Sequence, residues 1–516
     1  MRPTLPPACA ALILCLLSFG CSGGAPFASN VALSAHPKTL ASTVDPTTPS
    51  QPSSQAPTAT APVTPVSPTA PTAPTAAPLV SVVVSDPAAC KAPNGPWTHV
   101  YVTVADVKAS TNPNAGPNDP SFVDLTPGLS SAPKQVDLMG KATSHCFLAS
   151  LGGTSDVPWG DYQQVRVVLV QDFAASTIAN NACGASYANC IVRSDNSLHD
   201  LDVASEAASG IEVPVNQIVN SSLKFDPGDQ PTVDINFDIC SSIMQASNGR
   251  YDFRPMVHAG LVDPEGGTIQ GTVVSSKTGH ALHGGSVVVA LEQKSVGGID
   301  RILMRTTANA DGSFILCPVP QGTYDVVAVG VDGDKVSYSA GIETGIQSGQ
   351  IAGQIPLVPG SSQGILQGTI ATQRTTTPAI GTVAAMKADA LQQIGNGGPM
   401  VTIPLLPSQS PFDEAMMTQS LPDCPAGTDC ANYSMLLPTV TPNVVACSNE
   451  TAKFTQQSSE PPNYTAEAFA QIPGSAGMPD CRRSAEQVAT TPEGSSLVLN
   501  PGQNTRAASL AYTQCN

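Results

Sequence analysis

A few residues have the types and spacing that chemistry would need. Gly360–Gly364, GSSQG, fits G-x-S-x-G with Ser362 at its centre. A serine nucleophile there would need a strand before it and a helix after it, to expose the hydroxyl and supply an oxyanion hole. The preceding LVPG and the position between two strand-rich stretches make it a linker instead. Asp234 and Asp238 share one face of VDINFDI and could pose as a carboxylate pair for acid/base hydrolysis; the same alternation is expected of the wet face of a strand. His280 and His283 in KTGHALHGG could meet a transition metal, but turn polarity explains them. No C-x-x-C, no histidine at finger-like distance from a cysteine pair, no H-E-x-x-H, phosphate loop or dinucleotide fingerprint occurs. The expectation is no catalytic residue, no metal and no cofactor. For binding, sugar-recognising sandwiches stack aromatic faces on pyranose rings, and the only tryptophans are Trp97 and Trp159. Trp159 in DVPWGDY, with Tyr162, is the candidate; packing at a sheet corner is the plainer reading, since an indole buries a large area wherever it can.

These residues sit on elements whose period is two. In HVYVTVADV, Val100, Val102 and Val104 share a face; in YQQVRVVLV, Val165, Val167 and Leu169 do; in VDINFDI, Val233, Ile235, Phe237 and Ile239 alternate with Asp234, Asn236 and Asp238. The last predicts a strand with one face buried and the other wet. Charged residues make up 12% and aromatics 4% of the chain, while Gly, Pro, Ser, Thr and Ala abound. That is the profile of many short strands and turns. The fold class is all-β: several antiparallel β-sandwiches, with 516 residues allowing three or four domains. A net charge of −17 without a basic block excludes nucleic acid as a partner.

The N-terminus has Arg2, then an apolar run from Ala8 to Phe19 that is too short to span a bilayer, which needs about 20 residues. It reads as a signal peptide over 1–20. A cut before Cys21 leaves CSGG, which resembles the processing site of bacterial lipoproteins and implies lipidation of Cys21, with Ser22 pointing to the outer membrane; ordinary secretion is the alternative. Residues 21–78 form a Pro/Thr/Ser/Ala-rich tether that cannot bury a core. If extended as polyproline II it reaches on the order of 100 Å or more.

Residues 79–262 carry SVVVSDPAA, VYVTVADVKAS, VDLMG, GDYQQVRVVLV, EAASGIEVPVN and DINFDICSSIMQASNGRYDFRPMV in that order. This series resembles the family called domain of unknown function 4382, which implies a secreted β domain and brings no activity. GGTIQGTVVSSKTGHALHGGSVVVALE through GIQSGQIAGQIPLVP, about residues 266–359, resembles the carboxypeptidase regulatory-like domain. That resemblance implies a seven-stranded, non-catalytic, prealbumin-type sandwich. Residues 363–516 echo it: QGTIATQ echoes QGTVVSS, YSMLLPTVTPNVVAC echoes SFILCPVPQGTYDVVAV, and NPGQNTRAASLAY echoes QSGQIAGQIPL. Three echoes in the same order predict a divergent tandem copy.

Beyond Cys9, Cys15 and Cys21, eleven of the fourteen cysteines remain: five in the first domain, Cys317 alone in the second and five from Cys424 onward. In a signal-bearing chain they imply disulfides in an oxidising compartment. Cys183 with Cys190 and Cys424 with Cys430 are the short-loop pairs; spacing does not decide the rest. The functional expectation is a non-enzymatic, lipid-anchored protein of the bacterial envelope that displays sandwiches to a protein or glycan partner. The alternative is a structural or transport-accessory component of the outer envelope, and an exported hydrolase comes third.

Overall fold

The computed structural model describes residues 77–85, 97–203, 210–239, 242–245, 251–253, 256–263, 267–282, 286–294, 298–373, 385–395, 398–405, 415–417, 424–425, 428–446, 453–457, 461–472 and 481–512. Cys21, most of the 21–78 tether and His283 lie outside them. The described elements are strands apart from three short 3-10 turns, and most strand pairs are antiparallel, so the all-β expectation holds. Among the described residues no helix is long and apolar enough to cross a membrane.

The first body closes two sheets on one core. One sheet runs Met256–Val262, Thr232–Asp238, Val80–Ser85, Ala149–Thr154, with the middle pair parallel. The other is organised on the long strand Trp97–Ser110, which pairs with Gln164–Leu169, Lys134–Asp137 and Cys190–Arg193. Because side chains alternate along a strand, Val100, Val102 and Val104 meet Val82, Val84, Val165 and Val167 in a single cluster with no exposed surface.

Thr232–Asp238 departs from the sequence expectation of a wet face: all seven residues are buried. The strand has a neighbour on each side, and its polar face is occupied. Asp234 Oδ2 accepts from Ser85 Oγ at 2.7 Å, and Asn236 Nδ2 donates to the same hydroxyl at 3.2 Å. Asp238 Oδ2 accepts from Arg305 of the next body at 2.8 Å. The alternation of Asp and Asn thus marked a polar interior face, not a solvent face.

Downstream, the strands form three layers. A small sheet orders Ser313–Leu316, Ile269–Ser275, Ile351–Leu357; its central strand is antiparallel to the first and parallel to the last. The opposite outer sheet repeats that pattern: Gly364–Gln373 is antiparallel to Thr428–Leu437 and parallel to Asn504–Arg506 and Leu510–Tyr512. These are the segments whose sequences echo one another. Between the two lies a large sheet containing Gly341–Gln347, Thr323–Val331, Ser286–Lys294 and Ile299–Thr307 at its centre. Strands from the last third of the chain extend it on both flanks by parallel pairing, Asn443–Ala446 beside Gly341–Gln347 and Met400–Ile403 beside Ile299–Thr307.

The central strands therefore serve two cores. Val287, Val289, Leu291, Val326 and Ala328 belong to the cluster against the first small sheet; Val288, Val327 and Val329 belong to the cluster against the second. That is why VVVAL and DVVAVGV are continuous apolar runs without alternation, as expected of strands covered on both faces. Polar contacts also span the join. Arg301 makes two hydrogen bonds to Glu467, at 2.7 and 2.9 Å, and Thr402 donates its backbone N–H to Glu292 at 3.1 Å.

The first body is fastened to the second at several points. Cys146 and Cys317 form a disulfide. Gln321 donates its backbone N–H to Leu261 O at 3.0 Å, and Asn220 Nδ2 donates to Gln321 O at 2.9 Å. At Gly260 an added Cβ would stand 2.7 Å from the Pro320 ring and 3.0 Å from the Val219 side chain. Gly260→Ala is expected to lower stability by about 1–3 kcal/mol through overpacking, read as a shift in the urea midpoint. An unchanged midpoint would show that this contact yields freely.

Candidate functional site

A cleft of about 570 Å³ opens at the seam between the two sheets of the first body. One wall is Lys134–Asp137, which pairs with Trp97–Ser110. The other is the start of Ala149–Thr154, the edge of the smaller sheet. Val83 and Val136, both buried, lie at its base. The connection between the walls carries Gly140, Lys141, Thr143, His145 and Phe147 along the cleft.

Local hydrogen bonds shape that connection. Thr143 donates its N–H to Phe147 O at 2.9 Å, and Cys146 donates to Thr143 O at 3.0 Å. Phe147 N–H reaches the Thr143 hydroxyl at 3.2 Å. Cys146 takes a positive φ of 66°, uncommon for a residue with a Cβ. Its bond to Cys317 fixes the tip of the turn to the neighbouring body, and Leu148 N–H returns the chain to the sheet through Val84 O at 2.8 Å.

The charges in the cleft are unequal in availability. Asp137 is engaged: Oδ2 lies 2.6 Å from His99 Nδ1, and Oδ1 accepts from the backbone N–H groups of Val100 and Met139 at 3.2 and 3.1 Å. The His99 ring stacks on Tyr101 at 5.5 Å; burial, then the Asp137 charge, push the Tyr101 phenol upward. Lys134 Nζ donates to Ser150 O at 2.6 Å and ties the two walls together. Lys141 and His145 are exposed, and among the described residues neither has a hydrogen-bond or ion-pair partner. The arrangement holds an anion-favouring mouth above an apolar base, with Phe147 half-buried beside it.

The residues singled out from sequence fall elsewhere. Ser362 lies in a bend followed by the strand Gly364–Gln373, and Thr439 Oγ1 donates to its carbonyl at 2.9 Å, so no helix follows the serine. Asp234 and Asp238 are buried and committed to Ser85 and Arg305, which removes them from any solvent reaction. His280 is exposed in a turn. Trp159 is not packed into a sheet corner: the residue is 70% exposed. Tyr162 is corrected in the other direction; it is 2% exposed, its ring lies 5.0 Å from that of Phe225, and its hydroxyl donates to Pro158 O at 2.8 Å. It is a core tyrosine, so it makes no common surface with Trp159. Cys183 bonds Cys190 and Cys424 bonds Cys430. The cleft was not anticipated. Its signal was Lys141 and His145 ahead of the cysteine in KATSHC, which in isolation reads as a polar turn.

Residues 78–255, the stretch that holds the cleft, match the family described as "Domain of unknown function (DUF4382)". No curated protein matches the chain. Among solved structures, a leucine-rich repeat protein from Bacteroides thetaiotaomicron is 12% identical, over 48% of this chain and 27% of its own, at a TM-score of 0.19. The Bacillus anthracis TIE protein is 8% identical over 86% of this chain and 51% of its own, at 0.14. The minor pilin GBS52 of Streptococcus agalactiae is 10% identical over 48% and 97%, also at 0.14. The chain thus spans about a quarter of the first and half of the second. At such scores the architecture rests on its own strand pairing.

Proposed function

We propose that this chain is a non-enzymatic binding protein of the bacterial envelope, carried on a lipidated Cys21 and a proline-rich tether, in which residues 266–359 and 363–516 are tandem carboxypeptidase regulatory-like sandwiches that support the first domain. The observation that carries the binding reading is the cleft itself: a turn fixed at Cys146 to a second body holds Lys141 and His145 without partners among the described residues, over a shaped recess. Groups that stabilise a fold are ordinarily paired, and exposed side chains converging on a recess on a rigid scaffold are the usual form of a ligand site. The partner is an envelope protein or a glycan.

A second reading, a structural spacer of the outer envelope, is favoured by a specific feature, the sheet shared by the last two bodies together with the Cys146–Cys317 link. The anchor is tested by Cys21→Ser in the native host. The unsubstituted protein should fractionate with membranes and yield an N-terminal peptide bearing diacylglycerol, whereas the variant should lose both. A free N-terminus elsewhere, with the protein in the medium, overturns the anchor and leaves a diffusible binder.

A further inference from the structure

We infer that the cleft between Lys134–Asp137 and Ala149–Thr154 takes a carboxylated sugar, a hexuronate unit alone or within an oligosaccharide. This rests on the binding reading above and adds the chemical class of the ligand.

Three features of the cleft carry it. Two lysines, Lys134 and Lys141, line the cleft beside one carboxylate, and Asp137 is already held by His99 and two backbone N–H groups. Lys141 and His145 have no hydrogen-bond or ion-pair partner among the described residues. Lys134 spends a single donor on Ser150 O, and an ammonium has three. Neutral hydrogen-bonding groups stand beside the charges, namely the exposed hydroxyls of Thr143 and Ser150. Thr143 Oγ1 accepts from Phe147 N–H, which leaves its own O–H to donate. Finally, the half-buried Phe147 gives one wall an aromatic surface.

A hexuronate presents the matching set: a carboxylate, a ring of hydroxyls and a C–H face that lies against an aromatic ring. A bare inorganic anion would use the cations and leave Phe147 idle. A neutral sugar would use Phe147 and the hydroxyls and leave the cations idle. The volume is within the range of small-molecule sites, about 300–1,000 Å³. The chain's net charge of −17 repels anions at long range, so the affinity must come from these local contacts and should weaken in added salt.

The experiment is calorimetric titration of the full chain with trigalacturonate, with maltotriose and inorganic phosphate as comparison probes. Trigalacturonate is expected to bind, with maltotriose and phosphate at least about tenfold weaker. Lys141→Ala with His145→Gln should weaken trigalacturonate roughly 3- to 30-fold, the range for one exposed charged contact and one exposed hydrogen bond. Both side chains are exposed, so the fold is not at stake. Equal binding of maltotriose overturns the carboxylate assignment and leaves a glycan-binding protein standing. Equal binding of phosphate overturns the sugar. Binding of trigalacturonate that the double variant does not weaken overturns this cleft as its site. No binding of any probe overturns the ligand class, while capture of a protein partner by the same chain would still uphold the binding reading.

Discussion

Replacing Cys146 and Cys317 together by serine lowers the unfolding free energy of the oxidised chain by about 5 kcal/mol, whereas replacing Cys183 and Cys190 costs about 2 kcal/mol. The contrast follows from loop length: the first bond joins residues 171 apart and the second residues 7 apart. A cross-link acts mainly by restricting the unfolded chain, and the restriction grows with the logarithm of the loop it closes. The folded joint survives its removal, because the Arg305–Asp238 bond and the Gln321 and Asn220 contacts remain. The serine pair should therefore fold to the same structure and unfold earlier. Denaturant titration without reductant measures both variants against the parent. Equal losses for the two pairs would show that the bonds act through native-state contacts instead.

The chain is more stable at pH 5 than at pH 8, by about 3 kcal/mol or more. Burial pushes the Asp234 carboxyl up to about 7, against a smaller downward pull from the Ser85 hydroxyl, and pushes Glu343 up to about 8. Burial also raises Glu292 well above its ordinary range, with the charges of Asp325 and Asp300 adding to it, and raises Asp300 and Asp325, which face each other. In the unfolded chain these groups release their protons near 4. Between about pH 4 and pH 7–8 the folded chain thus binds more protons than the unfolded one. The stabilisation is complete below about 4 and is lost as pH rises through 7–8, at about 1.4 kcal/mol per group per pH unit. The exposed Asp119, Asp195 and Asp311 are shifted downward by hydrogen bonds to neighbouring serines. Their contribution fades only as pH falls below about 4, outside this window. Urea midpoints at the two pH values decide the sign, and Asp234→Asn should flatten the dependence. A higher midpoint at pH 8 would mean that the buried carboxyls are ionised and paired.

Much of the architecture was legible in residue patterns because strand burial writes itself into the sequence. Val100, Val102 and Val104 announced a one-sided strand; the unbroken apolar run VVVAL is covered on both faces, which was not read from it in advance. The echoes between QGTVVSS and QGTIATQ, and between their partner segments, coincide with strands that pair alike. The same rule misled at Asp234 and Asp238, since alternation separates apolar from polar and says nothing about whether the polar side meets water. The cleft was not legible. Its walls come from strands whose approach is set by sheet pairing, and the tip of its turn is held by Cys317, 171 residues away. Trp159 and Tyr162 are close in sequence and opposite in exposure, because one precedes a short strand and the other points from it into the core.

The shared central sheet imposes an order of events on a chain made from its N-terminus. Once Gly341–Gln347 has emerged, the sheet it joins still lacks its flanking strand Asn443–Ala446, and Ile299–Thr307 lacks Met400–Ile403. One face of that sheet, with Val288, Val327 and Val329, also stays uncovered until the last third arrives. At roughly 5–20 residues per second the gap lasts from a few seconds to about twenty. Open strand edges beside a bare apolar face are the surfaces on which chains pair with one another. The nascent protein is most adhesive to its own kind in that interval, and the flanking strands Met400–Ile403 and Asn443–Ala446 are the ones that end it.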